Sequence, residues 1–367
     1  MPRIKSKPPD SLLLLTVLTL LSIGIVMVYS SSAVVSYADY GTSFYYLRRQ
    51  AMWAGIGLVM MLIVSKINYW RYEYFARPIL AGIVLLLILV LIPGIGQVVH
   101  GARRWLDFGV SRVQPSEFAK VAVVIYMAYS LTQKQPQLGN LKAGVLPHIA
   151  IVGLICGLVL LEPDLGTAVA IGGTVFIMWF VAGFRFTHLL TLVLLAVPVL
   201  GYAIWSEEYR RSRFLAFLNP WADPLGDGFH IIQSLYALGS GGLFGLGLGQ
   251  SRQKLFYLPE RHTDFIFAIL GEELGFIGTV FVLALFFFFA WRGYKIAITA
   301  PDTFGSMLAV GITTMITLQA IINIGVVTGS MPITGIPLPF ISFGGSSLIP
   351  ILSGVGILLN ISKYTKY

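Results

Sequence analysis

The chain has 367 residues, of which 11% are charged and 56% hydrophobic; a soluble domain carries about 25% charged residues, so a soluble protein is excluded. Mean hydropathy is +0.82, and the apolar residues fall in blocks long enough to cross a hydrocarbon core about 30 Å thick. The 25 Lys and Arg against 16 Asp and Glu give a net charge of +9, which in a polytopic membrane protein is read loop by loop and implies no nucleic-acid partner.

In chain order, the first apolar run, Leu12 to Val28, follows Arg3, Lys5 and Lys7. It is too long for a secretory signal and lacks a small-residue cleavage site, so it reads as a retained span. Further spans are expected at 50–65, 78–93, 117–133, 144–161, 166–184, 187–205, 265–290, 303–328 and 341–361. The stretch 303–362 holds no charge, so its division rests on the Gly/Pro segment 329–340. The expected fold class is all-α: a polytopic membrane protein of about ten transmembrane helices forming one domain over 1–367, with a large outer loop at 206–264 between spans 7 and 8.

An even number of spans puts both ends on one side. Placing them in the cytoplasm gathers Arg3, Lys5, Lys7, Lys66, Arg71, Arg77, Lys134, Lys142, Arg185, Arg292, Lys295, Lys363 and Lys366 there, against Asp10, Glu73 and Asp302. The segment 206–264 and the loop around 94–116 then face outward. Both are basic: Arg103, Arg104 and Arg112 in the shorter, Arg210, Arg211, Arg213, Arg252, Lys254 and Arg261 in the longer. Such side chains either snorkel to anionic headgroups or form an anion site, since Arg binds phosphate in bidentate geometry and suits a pyrophosphate on a lipid carrier.

Acidic residues in or beside apolar blocks are functional candidates by default. Glu117 and Lys120 stand three apart and pair on one helix face. Glu162-Pro163-Asp164 reads as a tight turn whose Asp caps the next helix, and Asp264 reads equally as a cap. On a straight helix Glu272 lies about 80° round from Asp264 and Glu273 about 180°, so the three do not form one cluster. Gly241, Gly245 and Gly249 recur every four residues, which fits a close helix-packing face better than a phosphate loop. His100, His148, His188, His230 and His262 have no metal-binding spacing, and the single cysteine, Cys156, allows no disulfide within the chain.

The stretch Phe256-Tyr257-Leu258-Pro259-Glu260-Arg261-His262-Thr263-Asp264-Phe265-Ile266-Phe267-Ala268, followed by Gly271-Glu272-Glu273-Leu274-Gly275, closely resembles the SEDS family of shape, elongation, division and sporulation proteins. Support comes from Gln114-Pro115-Ser116-Glu117 with Lys120, Glu162-Pro163-Asp164-Leu165-Gly166-Thr167, Asn219-Pro220-Trp221 with Asp223-Pro224, and Pro339-Phe340-Ile341-Ser342-Phe343-Gly344-Gly345-Ser346-Ser347. Gly249-Gln250-Ser251-Arg252-Gln253-Lys254 and the short tails are more similar to the FtsW and SpoVE branch than to RodA.

That resemblance implies a peptidoglycan glycosyltransferase polymerising lipid II, the disaccharide-pentapeptide on undecaprenyl pyrophosphate, beside a class B penicillin-binding protein and other divisome or sporulation membrane proteins. The family's essential aspartate maps onto Asp264. Donor α-linkage and product β-1,4 linkage call for a single inverting displacement, with Asp264 taking the acceptor's hydroxyl proton. Arg103, Arg104, Arg210, Arg213 and Lys254 are the expected substrate-binding residues, and Glu117, Lys120, Asp164, Glu272 and Ser346 the supporting ones. A divalent cation, Mg²⁺ or Mn²⁺, is a candidate cofactor held by carboxylates and substrate phosphates, with Asp264 then its ligand. Lipid II flipping and plain scaffolding of the transpeptidase are the rival functions.

Overall fold

Helices stand at all ten expected spans of the chain, which is described here by a computed structural model at residues 7–99, 101–107, 109, 112–255 and 257–365. Arg3, Lys5, His100, Phe256 and Lys366 lie outside the described residues. The spanning positions are α1 (Ser11–Tyr40), α2 (Tyr45–Lys66), α3 (Trp70–Leu91), α4 (Pro115–Gln133), α5 (Leu146–Leu161), α6 (Leu165–Val181) and α7 (Phe186–Trp205), then α10 (Ile266–Thr299), α11 (Thr303–Val327) and α12 (Gly345–Ser362). Among the described residues, eight helices are both long and apolar enough to cross a membrane; α6 is a shorter apolar helix, and α4 carries the charged Glu117 and Lys120. α11 and α12 are buried over most of their length at the centre, whereas α7 shows nearly its whole surface.

α1 starts where the Asp10 carboxylate accepts the Leu13 N–H at 2.9 Å, and it ends at Gly41 in the left-handed region with φ 69°. Its 30 residues make about 45 Å of helix, longer than the hydrocarbon core. Hydropathy alone ended this span at Val28, because Ser30, Ser31, Ser32 and Ser36 follow; all four are buried against protein. The two ends of the chain meet: the Lys7 N–H donates to the Lys363 carbonyl at 2.9 Å, Asp10 N–H to Ser362 Oγ at 3.0 Å, and Arg292 pairs with Asp10.

At the opposite end, here called the loop end, the expected plain loop around 94–116 is instead a small antiparallel sheet of β1 (Gly96–Val99), β2 (Ala102–Asp107) and β3 (Arg112–Val113). Gly101, with φ 79°, supplies the positive backbone angle that a tight hairpin between Val99 and Ala102 requires. The long segment 206–264 contains α8 (Glu208–Leu218) and α9 (Phe229–Ser240).

The glycine repeat is not a helix face. Gly242, Gly245, Gly247 and Gly249 take φ of 54°, 80°, 101° and 79°, and the turn they form fills a break in α10 at Gly275 (φ 67°, ψ −166°). There Leu246 and Gly247 N–H donate to the carbonyls of Glu272 and Glu273 at 2.9 and 3.0 Å, while Phe276 N–H donates to Gly242 O at 2.8 Å. A side chain at Gly245 would run into the Glu273 carbonyl. Close backbone approach is thus the use of these glycines, in turn rather than helical geometry.

Candidate active site

Asp264 lies in the turn before α10, not on it, so the helical-wheel argument does not apply. Glu260 opens the turn in the left-handed region, φ 49°, and its carbonyl accepts the N–H groups of Thr263 and Phe265 at 3.2 and 3.1 Å. Ser342 Oγ donates to the Thr263 carbonyl at 2.6 Å, and Phe343 N–H donates to His262 O at 2.9 Å. The capping reading fails: the N-cap of α10 is Phe265, with no side-chain capping bond. The Asp264 side chain is partly buried, and Gly335, φ 74°, stands beside it, a Cβ there lying in ordinary contact 3.5 Å from Oδ2.

Burial pushes the Asp264 carboxyl up to about 7, reinforced by the charge of Glu260 and opposed by Arg213; Asp164 raises it further and Arg104 lowers it. Desolvation, which penalises the charged form, is the leading cause. A base of this strength suits catalysis near neutral pH. His262 is no rival, because burial pushes its imidazole down to about 4.

The second half of the site is the turn between α5 and α6. Asp164 caps α6, accepting from Thr167 N–H and Thr167 Oγ1, both at 3.0 Å, and from Gln114 Nε2 at 3.2 Å. Arg104 clamps this turn: Nε donates to Glu162 O at 2.8 Å, Nη2 to Pro163 O, and Nη1 stands 3.8 Å from Asp164 Oδ2. Glu162 is fully buried. Burial and then the Asp164 charge push its carboxyl up to about 8. Tyr209 of α8 donates to Pro163 O at 3.0 Å, tying the long segment to the same turn.

The five expected substrate-binding cations stand in different surroundings. Arg103 donates to Leu91 O at 3.2 Å and so fastens β2 to the end of α3. Arg210 donates to Tyr209 Oη at 2.9 Å and to Ala203 O at 3.0 Å. Lys254 is buried elsewhere, its ammonium 3.0 Å from Glu273 Oε1 and 3.3 Å from Ser30 Oγ. Arg213 differs: exposed, stacked over Tyr209 at 5.7 Å, it has a guanidinium that no hydrogen bond among the described residues engages.

The supporting residues fall into separate groups. Lys120 pairs with Glu117 at 2.9 Å and donates to Gln319 Oε1 at 2.8 Å; Glu272 receives Ser251 Oγ and the Arg252 N–H, the latter at 3.0 Å. Ser346 Oγ accepts the Gln114 N–H at 2.7 Å. Among the described residues, no three His, Cys, Asp or Glu side chains gather to hold a metal ion. Sequence reasoning missed Glu260, Gln319 and Asn323; two amides four apart in an uncharged span were the available signal for the last two.

The fold and the site define a polytopic helical membrane protein with a poised carboxylate and arginines at its loop end. A family model described as "Cell cycle protein", covering FtsW, RodA and SpoVE, matches residues 10–367, and the chain belongs to that family. It is 49% identical to stage V sporulation protein E of Bacillus subtilis over 363 residues, 99% of each chain. It is 46% identical to a probable peptidoglycan glycosyltransferase FtsW of Geobacter metallireducens, covering 97% of this chain and 95% of that one. Among solved structures it resembles a peptidoglycan synthase complex, described as coordinating polymerization and crosslinking, with TM-score 0.78, 32% identity and 98% of each chain covered. The rod shape determining protein RodA of Thermus thermophilus matches with TM-score 0.73 and 29% identity, again over 98% of each chain.

Proposed function

We propose that this chain is a peptidoglycan glycosyltransferase of a bacterial cytoplasmic membrane, polymerising lipid II into β-1,4-linked glycan and releasing undecaprenyl pyrophosphate. The observation that carries this reading is Asp264: a partly buried carboxyl with its titration near 7, no capping duty, and arginine charge close enough to act on it. The acceptor's GlcNAc 4-hydroxyl oxygen attacks the donor's anomeric carbon as its proton passes to Asp264. The carbon–oxygen bond to pyrophosphate breaks, and the pyrophosphate leaves with the electron pair. Arg213 stabilises that departing charge, and Arg104 adds its field while holding the 162–164 turn.

A divalent cation, Mg²⁺ or Mn²⁺, finds no protein cage among the described residues; pyrophosphate oxygens would be its main ligands. Both termini are assigned to the cytoplasm, where Lys66, Arg71, Arg77, Lys134, Lys142, Arg185, Arg292, Lys295 and Lys363 gather. The loop end then faces outward, toward lipid II and a class B penicillin-binding protein that crosslinks the product. The charges buried in the bundle do not favour the flipping alternative: Glu117 with Lys120 and Glu273 with Lys254 are paired off rather than lining an open route. Purified protein supplied with lipid II on the outer leaflet of liposomes should make glycan strands. Absence of polymer from a folded protein that binds lipid II would overturn the proposal.

A further inference from the structure

Within α11 two amide side chains stand four residues apart and so share a face: Gln319 and Asn323, each 1% exposed. Burying an amide is unfavourable unless its groups find partners. Gln319 accepts from Lys120 Nζ at 2.8 Å and donates to Pro337 O at 2.9 Å. Asn323 spends both amide hydrogens on backbone carbonyls, those of Asp264 and Ile336, each at 2.8 Å. Its own Oδ1 is buried without a partner among the described residues. The two carbonyls fix the amide's orientation, because turning it over would set oxygen against oxygen. The orphan acceptor lowers stability while the two donated bonds raise it, so what marks Asn at this position is which two carbonyls it joins. What the side chain does achieve is to join the Asp264 backbone to the extended segment whose Gly335 faces the carboxylate.

We propose that Asn323 is a positioning residue for Asp264, and that the Glu117–Lys120 pair of α4 reaches the reaction through Gln319 and the carbonyls of 336–337 instead of touching substrate. This rests on the assignment of Asp264 as the base. Lys120 orients Gln319 by occupying its oxygen, Gln319 and Asn323 hold adjacent carbonyls of one segment, and Asn323 alone also grips the residue that carries the carboxylate. Misplacing a catalytic group by about 1 Å is enough to slow a reaction about 100-fold.

The test uses the full chain in liposomes with lipid II, comparing Asn323→Leu, of similar size but without donors, and Asn323→Ser, with one donor. Rate, KM, thermal melting and the pH dependence of kcat are measured together. Asn323→Leu should lower kcat about 10- to 100-fold with KM within about threefold, and Asn323→Ser should fall between it and wild type. The acid limb of the pH profile should move to lower pH as water reaches the displaced Asp264. The charged groups acting on Asp264, namely Glu260, Arg213, Asp164 and Arg104, are unchanged by the substitution, so the movement reports displacement. An unchanged kcat and acid limb in folded Asn323→Leu overturns the proposal, even if melting falls; if that variant does not reach the membrane, Asn323→Ser decides by the same criteria. Asp264→Asn is run in parallel. Activity in that variant removes the base assignment itself, whereas its inactivity beside a wild-type-like Asn323 variant removes only the positioning role.

Discussion

Glu273 and Asp264 flank the start of the same helix, yet their surroundings differ in kind. Glu273 is fully buried and held by Lys254 at 3.0 Å and by Ser30 Oγ at 2.7 Å, joining α1, α10 and the loop between α9 and α10. Asp264 has its carbonyl held by Asn323, and the preceding residues of its turn by Ser342 and Phe343, while its carboxylate stays outside the hydrogen-bond network of the described residues. Two acids in an apolar chain are equal as sequence anomalies; what separates a strut from a reactive group is whether the charge is already satisfied.

The sharpest way to break that contrast is Asp264→Asn, which keeps the shape and removes the base. The expected outcome is a protein that reaches the membrane, binds lipid II and retains its partner, with glycan synthesis slowed at least 100-fold, within the range of about 10²- to 10⁴-fold for general-base loss. Recovery of the rate at much higher Mg²⁺ or Mn²⁺ in the same assay would instead make Asp264 a metal ligand. Glu273→Ala should show the opposite pattern. It leaves the Lys254 ammonium buried without its carboxylate, a loss of about 3–5 kcal/mol of stability, read as a lower melting temperature and membrane yield. Adding Lys254→Met should restore most of the melting temperature, and unchanged melting in Glu273→Ala would dissolve the distinction between the two acids.

A gentler probe is pH. Asp264 accepts a proton only when ionised, and burial pushes its carboxyl up to about 7; kcat/KM should therefore be half-maximal near pH 7 and fall about tenfold per unit below it. An acid limb near pH 4 would place the carboxylate in water and remove the burial argument.

How much of this was legible beforehand follows from which solvent each part meets. All ten helices could be read because lipid forces every span to satisfy its backbone internally, leaving long apolar blocks in the sequence. The end of α1 could not, since Ser30, Ser31, Ser32 and Ser36 are hidden by neighbouring helices, which hydropathy does not see. The sheet at 96–113 escaped notice because its strands are short and its turn rests on one glycine, Gly101. Asp264 was found through its motif, but the duties of the arginines were invisible: Arg103, Arg104 and Arg210 spend their donors on backbone carbonyls, and no sequence pattern announces a carbonyl. Asn323 and Gln319 carry no charge and belong to no motif singled out in the sequence, although their four-residue spacing places them on one helix face.

The smallest expected effect separates Arg104 from Arg213, both expected from the sequence to bind substrate. Both lower the titration of Asp264, so removing either charge raises its pKa and moves the acid limb of the rate profile to higher pH. Arg213 is exposed and makes no hydrogen bond among the described residues, so its charge acts through screened water and Arg213→Gln should leave melting unchanged. Its cost should fall on the pyrophosphate: affinity for lipid II weaker by about three- to tenfold at low salt, with the difference from wild type shrinking as salt rises. Arg104→Gln instead unfastens the carbonyls of Glu162 and Pro163 and the neighbouring Asp164, so melting falls along with activity, and added salt does not narrow the gap. If Arg213→Gln binds lipid II like wild type at low salt while Arg104→Gln melts normally and loses affinity, the roles are reversed, and the clamp on the 162–164 turn is the arginine that meets the phosphate.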